Sequence, residues 1–244
     1  MARSRSLWLA AGALLLTGMP VATPAAATQA ERPAGADGAS RCGAPSGVTY
    51  LTYDDANYKR PYAAVRLASA ARRLHVGLGI FHVSSVTRRY FASTGISIPQ
   101  RLRSRGMYVN NHTYDHPHLT RLSVARIDWE IKNGIKGGWL RPPYGDSNRT
   151  VASRAHALDY RICMWTFDTW DWKGFSGSSI CSDVVHNAPR GAVVLMHLNH
   201  SAANPQTLQC IVHGLRQRGH TICRPYTSTH PGKATPVRLY RLPC

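Results

Sequence analysis

The sequence predicts an α/β fold: a single, disulfide-stabilised domain built as a distorted (β/α)7 barrel, with parallel strands inside and helices outside. Three observations lead to it. Short apolar runs alternate with helix-like segments seven times along the chain, the order that generates parallel sheets through crossover connections. Polar clusters follow five of those runs: Asp54-Asp55, the histidine-rich stretch from Asn110 to Leu119, Arg141 to Gly145, Asp168 to Trp172, and His197. In a barrel the C-terminal strand ends converge on one mouth, where active sites sit, so this placement favours a barrel over a flat doubly wound sheet. Finally, 204 residues follow Ser40 and carry all six cysteines, enough chain for one sizeable core.

The first element is not part of the barrel. Arg3 and Arg5 precede an apolar run from Leu7 to Leu16, and small residues ending in Ala25-Ala26-Ala27 follow. A charged start, an apolar run too short to span a bilayer and an Ala-x-Ala site are the pattern of a secretory signal peptide. The expectation is a signal peptide over 1–27, a flexible segment over 28–41, a domain over 42–226 and a tail over 227–244, in a secreted, extracellular protein. The other reading, an N-terminal membrane anchor, is disfavoured by the short apolar run.

Within the domain, Val48 to Tyr53 reads as a strand and Lys59 to Leu74 as a helix with Leu67, Ala71 and Leu74 on one face. Val76 to Val83 is a second strand, followed by a basic helical stretch through Arg105, and Met107 to Asn110 is a third. Ser123 caps a helix from Val124 to Ile135, and Trp139-Leu140 opens a fourth strand. Asn148 to Leu158 is helical, Tyr160 to Phe167 a fifth strand, Ser179 to Val185 a helix, and Ala192 to Met196 the most apolar strand. Pro205 to Arg216 is the last helix and His220 to Cys223 the last strand.

An even set of cysteines in a secreted chain points to disulfides, and no Cys-x-x-Cys pair suggests a thiolate metal site or a redox dithiol. A bridge between Cys42 and Cys244 would join the two ends of the domain. From Arg41 onward, 27 Lys and Arg face 10 Asp and Glu, a surplus that favours anionic partners such as acidic wall polymers. The basic residues are scattered rather than blocked, so nucleic acid is not the expected partner. Nothing in the sequence signals a membrane-spanning segment in the mature chain or an oligomer, and a monomer is expected.

The scarcity of acids makes their positions informative. Asp54 and Asp55 are adjacent at a strand end, where one can ligate a metal while the other acts as a base. An ordinary acidic turn is the bland alternative. His112 and His116, four apart, can aim at one ion from a helical turn or a tight loop. Two imidazoles and a carboxylate with open positions suit Zn2+ or another divalent transition metal such as Co2+. His118, beyond Pro117, is a rim residue. In Arg141-Pro142-Pro143-Tyr144-Gly145 the prolines remove two N–H donors and leave that of Tyr144 free for a ligand. Arg141 can grip a carboxylate with two parallel bonds. Asp168 to Trp172 sets acids among tryptophans that can stack on sugars or lie in the core. His197 ends a buried-looking strand as a core histidine or a general acid. Asn199-His200 resembles a nuclease element only without its fold context.

Five motifs in order, TYDD at 52–55, HTYDHP at 112–117, RPPYG at 141–145, DTWDW at 168–172 and LMH at 195–197, resemble those of the polysaccharide deacetylase family, the NodB-homology group also called carbohydrate esterase family four. The resemblance runs from Val48 to Tyr226. It implies a distorted (β/α)7 barrel that hydrolyses acetyl groups from N-acetylglucosamine polymers or, in some members, acetylated xylan. Carried across motif by motif, it implies Asp54 as catalytic base and Asp55, His112 and His116 as ligands of a metal, usually zinc. It implies that Arg141 orients Asp54 and that the Tyr144 N–H helps bind the oxyanion. Leu195 and Trp172 would wall the acetyl pocket, and His197 would be the general acid, tuned by Asp171. The first motif departs from the family's usual Asp-Asp-Gly by carrying Ala56, and a side chain there alters the turn if the glycine takes positive φ. The stretches Leu119–Trp139 and Thr87–Pro99 look short for the family and would reshape the groove.

The sequence therefore points to a secreted, metal-dependent N-deacetylase of chitin oligosaccharides or peptidoglycan, with the basic surface leaning toward the wall. An acetyl xylan esterase of the same fold and a non-catalytic wall-glycan-binding domain are the alternatives.

Overall fold

The computed structural model describes residues 41–227 and 234–244; the signal peptide expected over 1–27 and nearly all of the 28–41 segment lie outside them. In chain order come β1 (Val48–Asp54), α1 (Ala63–Arg73), β2 (Gly79–His82), α2 (Ser84–Thr94), α3 (Ile98–Arg103), β3 (Tyr108–Asn111) and α4 (Val124–Asn133). Then follow β4 (Trp139–Leu140), α5 (Arg149–Ala157), β5 (Arg161–Ile162), β6 (Phe167–Asp168), α6 (Gly177–Asn187), β7 (Val193–His197), α7 (Pro205–Gln217) and β8 (Thr221–Ile222). Every strand pairing is parallel, and the hydrogen-bonded order is β5-β4-β3-β2-β1-β7-β6, with β8 pairing the start of β1. The expected distorted barrel is what forms: a curled parallel sheet clothed in helices.

The distortion has a definite place. Tyr160–Phe167, expected as one strand, is two short strands with no helix between them. The Cys163 N–H still follows the β4 edge, donating to Leu140 O at 2.9 Å, whereas the Thr166 N–H donates to Val193 O of β7 at 3.0 Å. The chain thus crosses from one edge of the curled sheet to the other within four residues, where a closed barrel would continue its ladder. The other departure is in the basic stretch before Arg105, which forms two helices, α2 and α3. Gly95 separates them with a left-handed φ of 68°, and Ser97 caps the second by accepting from Gln100 N–H. Ser123 caps α4 as expected, accepting from Arg126 N–H.

Strand alternation divides the core. On β1, Leu51 and Tyr53 face the helices and pack with Ile80, Val109, Val194, Met196 and the apolar faces of α1, α6 and α7. Tyr50 joins Phe81, Tyr108, Trp165, Val193 and Leu195 inside the barrel. Gly79 is required by this inner packing, since a Cβ there would lie 2.5 Å from the Tyr50 hydroxyl oxygen. The same inward face carries Thr52 and Asp54 toward the mouth.

The far end is closed by the C-terminal segment. Cys223 N–H donates to Thr49 O and Gly77 N–H to Cys223 O, which wedges β8 between the starts of β1 and β2. Thr235 N–H donates to Arg103 O and Leu242 N–H to Gly43 O, so residues 234–244 pack on the domain. The start and end of the described residues therefore lie side by side, yet the expected Cys42–Cys244 bridge does not form. Cys244 reaches Cys223 at the end of β8, while Cys42 turns inward to Cys163, and Cys181 of α6 bonds Cys210 of α7. The Cys42–Cys163 bridge spans 121 residues, and closing so long a loop contributes about 4–5 kcal/mol by limiting the unfolded chain. Replacing both cysteines by alanine is expected to cost a comparable amount, measured by urea titration against the parent. A loss below about 1 kcal/mol would show that the bridge does not brace the fold.

Candidate active site

The five polar clusters meet at the C-terminal ends of β1, β3, β4, β6 and β7, and a buried arginine links three of them. Arg141 is fully buried. Its Nη1 donates to Asp54 Oδ1 at 2.7 Å and to Thr52 Oγ1 at 2.9 Å, and its Nε donates to Cys163 O at 3.1 Å. Nη2 lies 3.3 Å from Cys163 Sγ, and the guanidinium sits 4.1 Å over the Phe81 ring. The two-bond grip on a carboxylate that arginine allows is therefore not formed. One donor holds Asp54 and the others go to Thr52 and Cys163, which leaves Asp54 Oδ2 facing His112 Nε2 at 3.7 Å. The main chain of the same arginine acts too: its carbonyl accepts from His112 Nδ1 at 2.7 Å. A carbonyl can only accept, so the proton is on Nδ1 and the lone pair on Nε2.

That lone pair turns toward Asp55. Oδ1 of Asp55 lies 3.5 Å from His112 Nε2 and 3.1 Å from His116 Nε2, and the three ligand atoms fall within 4.8 Å of one another. Asp55 Oδ1 is buried, yet no group is placed to donate a hydrogen bond to it. A buried oxygen flanked by two imidazole nitrogens is costly without a cation between them, and the donor set, two nitrogens and a carboxylate oxygen, fits a divalent transition metal. Burial alone would raise the Asp55 carboxyl. The two imidazoles that face it outweigh burial and hold the group well below the usual carboxylate range.

Backbone geometry makes this convergence possible. Asp55 takes φ 67°, Thr113 φ 66° and His116 φ 66°, so the turn after β1 and the loop after β3 both fold back on the strand ends. Ala56 has no positive φ; the left-handed residue is Asp55, and the Ala56 methyl packs with Val83 and Val86. The alanine is thus accommodated without altering the turn. The histidine loop is pinned by Glu130 of α4, a fully buried carboxylate that accepts from Tyr114 N–H and Asp115 N–H, each at 3.0 Å. Arg126 balances it, Nη2 donating to Glu130 Oε1 at 2.7 Å. Asn111 adds a further anchor, accepting from Thr113 N–H at 2.8 Å.

Across the mouth, Asp54 and His197 are register partners on β1 and β7. Asp171 is buried and grips His197 twice, accepting from its backbone N–H and its Nδ1, both at 2.7 Å. Burial would lower the His197 pKa, but the hydrogen bond and charge of Asp171, with the charges of Asp54 and Asp55, raise it to about 9. The imidazolium therefore persists at neutral pH with Nε2 available. Tyr144, with φ 60°, is 60% exposed and follows two prolines, and its N–H has no acceptor among the described residues. His118 stacks on the Tyr144 ring at 4.0 Å and lies 3.4 Å from Asp146, a rim position. Leu195 lines the inner core two residues before His197, while Trp172 stands half-exposed with Lys173 Nζ 5.3 Å from its ring. Asp168 serves a local turn, accepting from Trp170 N–H at 2.9 Å.

Sequence reasoning missed the supports. Cys163, which shares Arg141, and Glu130, which ties down the loop, carried no motif, and Thr52, inside the TYDD motif, was given no role. His82 is a further surprise: it ends β2 beside the ligand loop, fully buried, with its pKa pushed down to about 3 by burial.

Residues 43–163 match the family model described as polysaccharide deacetylase. A peptidoglycan-N-acetylglucosamine deacetylase of Bacillus cereus is 30% identical over 136 residues, 50% of this chain and 49% of that relative. A bifunctional xylanase/xylan deacetylase of Cellvibrio japonicus is 30% identical over 52% of this chain and 20% of its own length. The matches thus span half or less of these two curated relatives. Among solved structures, a family 4 carbohydrate esterase from Streptomyces lividans in complex with acetate superposes with a TM-score of 0.63 at 26% identity, covering 78% of this chain and 97% of that one.

Two measurements probe the supports. Substituting Glu130→Ala should free the loop between His112 and His116 and weaken the affinity for an added divalent ion, with zinc as the probe, about 10- to 100-fold, the usual effect of losing an outer support. Competition with a zinc-sensitive dye reads this directly, and unchanged affinity would remove Glu130 from the site. The His197 ring should titrate near 9 by NMR and fall by at least about one unit in Asp171→Asn. Because the folded pKa is raised, this pair stabilises fully below about 6.5 and its contribution disappears as pH rises through 9.

Proposed function

The chain belongs to the polysaccharide deacetylase family, and from the arrangement at its mouth we propose that it is a secreted, metal-dependent N-deacetylase of N-acetylglucosamine-containing glycans, with peptidoglycan preferred. The observation that carries this reading is the pairing of two oppositely prepared groups on adjacent strands. Asp54 is held by Arg141 at 2.7 Å through one of its two oxygens, and His197, its pKa raised to about 9, is held by Asp171 at 2.7 Å.

Amide hydrolysis needs such a pair. Asp54 Oδ2, not engaged by Arg141, accepts a proton from the attacking water as its oxygen bonds to the acetyl carbon. The Tyr144 N–H donates to the oxygen that becomes negative, a contribution of about 3 kcal/mol for one well-placed donor. The nitrogen cannot leave as an anion, so His197 delivers its Nε2 proton as the C–N bond breaks, releasing an amine and acetate. Asp55, His112 and His116 would hold a divalent ion, zinc in this proposal, which lowers the pKa of a bound water and polarises the carbonyl. Trp172 and Leu195 would flank the acetyl methyl.

Peptidoglycan is favoured by the Bacillus cereus relative and by the net charge of +18, which suits an acidic wall. An acetyl xylan esterase is the second reading, supported by the Cellvibrio japonicus relative. The prepared imidazolium argues for the amide, because an ester's alkoxide leaves with less help.

The test is acetate release by the mature chain from N-acetylchitooligosaccharides, peptidoglycan and acetylated xylan, with zinc and with chelator. Chelator-sensitive release from either aminosugar substrate is expected, whereas release from xylan alone would overturn the amide reading. Asp54→Asn should lower kcat at least about 100-fold, within the usual worth of a general base. His197→Ala should cost the amide reaction far more than any ester reaction; equal losses would remove it as the proton donor.

A further inference from the structure

At the end of the barrel opposite the mouth, α1 and α3 run toward the starts of β2 and β3. There Ser69, Arg72, Arg73, Ser104 and Arg105 line a groove of ≈ 560 Å³. Arg105 is held across it, with Nε donating to Ser69 Oγ and Nη1 to Arg101 O, both at 2.8 Å. Arg216 of α7 arrives at the end of α1, its Nη2 donating to Leu74 O at 2.7 Å. Among the described residues no carboxylate is within ion-pair distance of Arg72, Arg73, Arg101, Arg105 or Arg216; the arginines so paired are Arg126, Arg141, Arg154 and Arg238.

Basic residues suit helix C-termini, but each such end carries only about half a negative charge, which one guanidinium already answers. Four arginines at the ends of α1 and α3, with Arg216 of α7 beside them, repel one another, and an anion among them relieves that repulsion. We infer that this groove binds the phosphates of a base-free phosphodiester polymer and holds the protein by the face away from its mouth. The guanidinium fork matches phosphate oxygens. No aromatic side chain lines the groove to stack a nucleobase, and no apolar side chain lines it to enter a lipid layer. The site is independent of the reaction at the mouth.

Poly(glycerol phosphate) immobilised on a sensor surface tests this with the mature chain. Arg72→Glu/Arg105→Glu should bind at least about tenfold more weakly than the parent, with a salt slope smaller by about two. Acetate release from a soluble oligosaccharide should be unchanged. A charge-matched control, Arg121→Glu/Arg149→Glu, should retain most of the binding. Equal loss in both variants would overturn the groove in favour of diffuse charge. Equally effective competition by duplex DNA would overturn the polymer class, and displacement by inorganic phosphate at equal phosphate concentration would reduce the site to a small-anion site. Should the double variant melt early, Arg73→Gln, which touches no hydrogen bond named here, is read by the same criteria.

Discussion

The ion pair between Arg141 and Asp54 is the constraint around which this molecule is arranged. A guanidinium with no exposure costs several kcal/mol to desolvate and is tolerated only when its charge and N–H groups are answered. Here they are answered by one carboxylate oxygen, one hydroxyl, one carbonyl and one sulfur, drawn from β1 and from the crossing at Cys163. Because the pairing is single rather than bidentate, Asp54 is fixed in place yet keeps one oxygen free. The same residue's carbonyl sets the tautomer of His112. One arginine thus positions both Asp54 and His112.

The irregularity of the barrel follows from that arrangement. Cys163 N–H still donates to Leu140 O, but the next donor position in line with β4 is Pro142, which has no N–H, so the Cys163 carbonyl is left for Arg141 Nε. The Cys42–Cys163 bond clamps the segment from below. The crossing also carries the chain directly to β6, bringing Asp171 beneath His197. The break in the sheet and the two prepared groups are one structural feature.

Much of this was legible in the sequence because strand ends announce themselves. An apolar run followed by Asp54-Asp55, or by the spacing of His112 and His116, locates both the strand and the group it presents, and Arg141 and His197 were found by the same logic. What stayed hidden depends on contacts far apart in the chain. Glu130 lies on an amphipathic helix where a carboxylate normally meets water, and only the packing of α4 against the histidine loop buries it. Cys163 shows in sequence only as one of six cysteines; its pairing is settled by where the crossing passes. Ala56 would disturb the turn only if that position took positive φ, and the backbone gives the positive φ to Asp55 instead.

Left-handed backbone marks the same boundary. Among the described residues eight non-glycine positions have positive φ, and five of them, Asp55, Thr113, His116, Tyr144 and Trp170, surround the mouth. Each such residue costs on the order of 1 kcal/mol or more and persists only where its surroundings over-determine it. Those surroundings are visible: Asn111 and Glu130 hold the histidine loop, Pro142 and Pro143 stiffen the approach to Tyr144, and Asp168 holds Trp170. A chain that maintains strain at its mouth needs stability from elsewhere, and here it is found at a distance, in three disulfides and a C-terminal segment packed beneath the sheet. The rigid end and the strained end are therefore complementary: the first makes it possible for the second to hold Asp54, Asp55, His112, His116 and His197 in positions that no relaxed loop would choose.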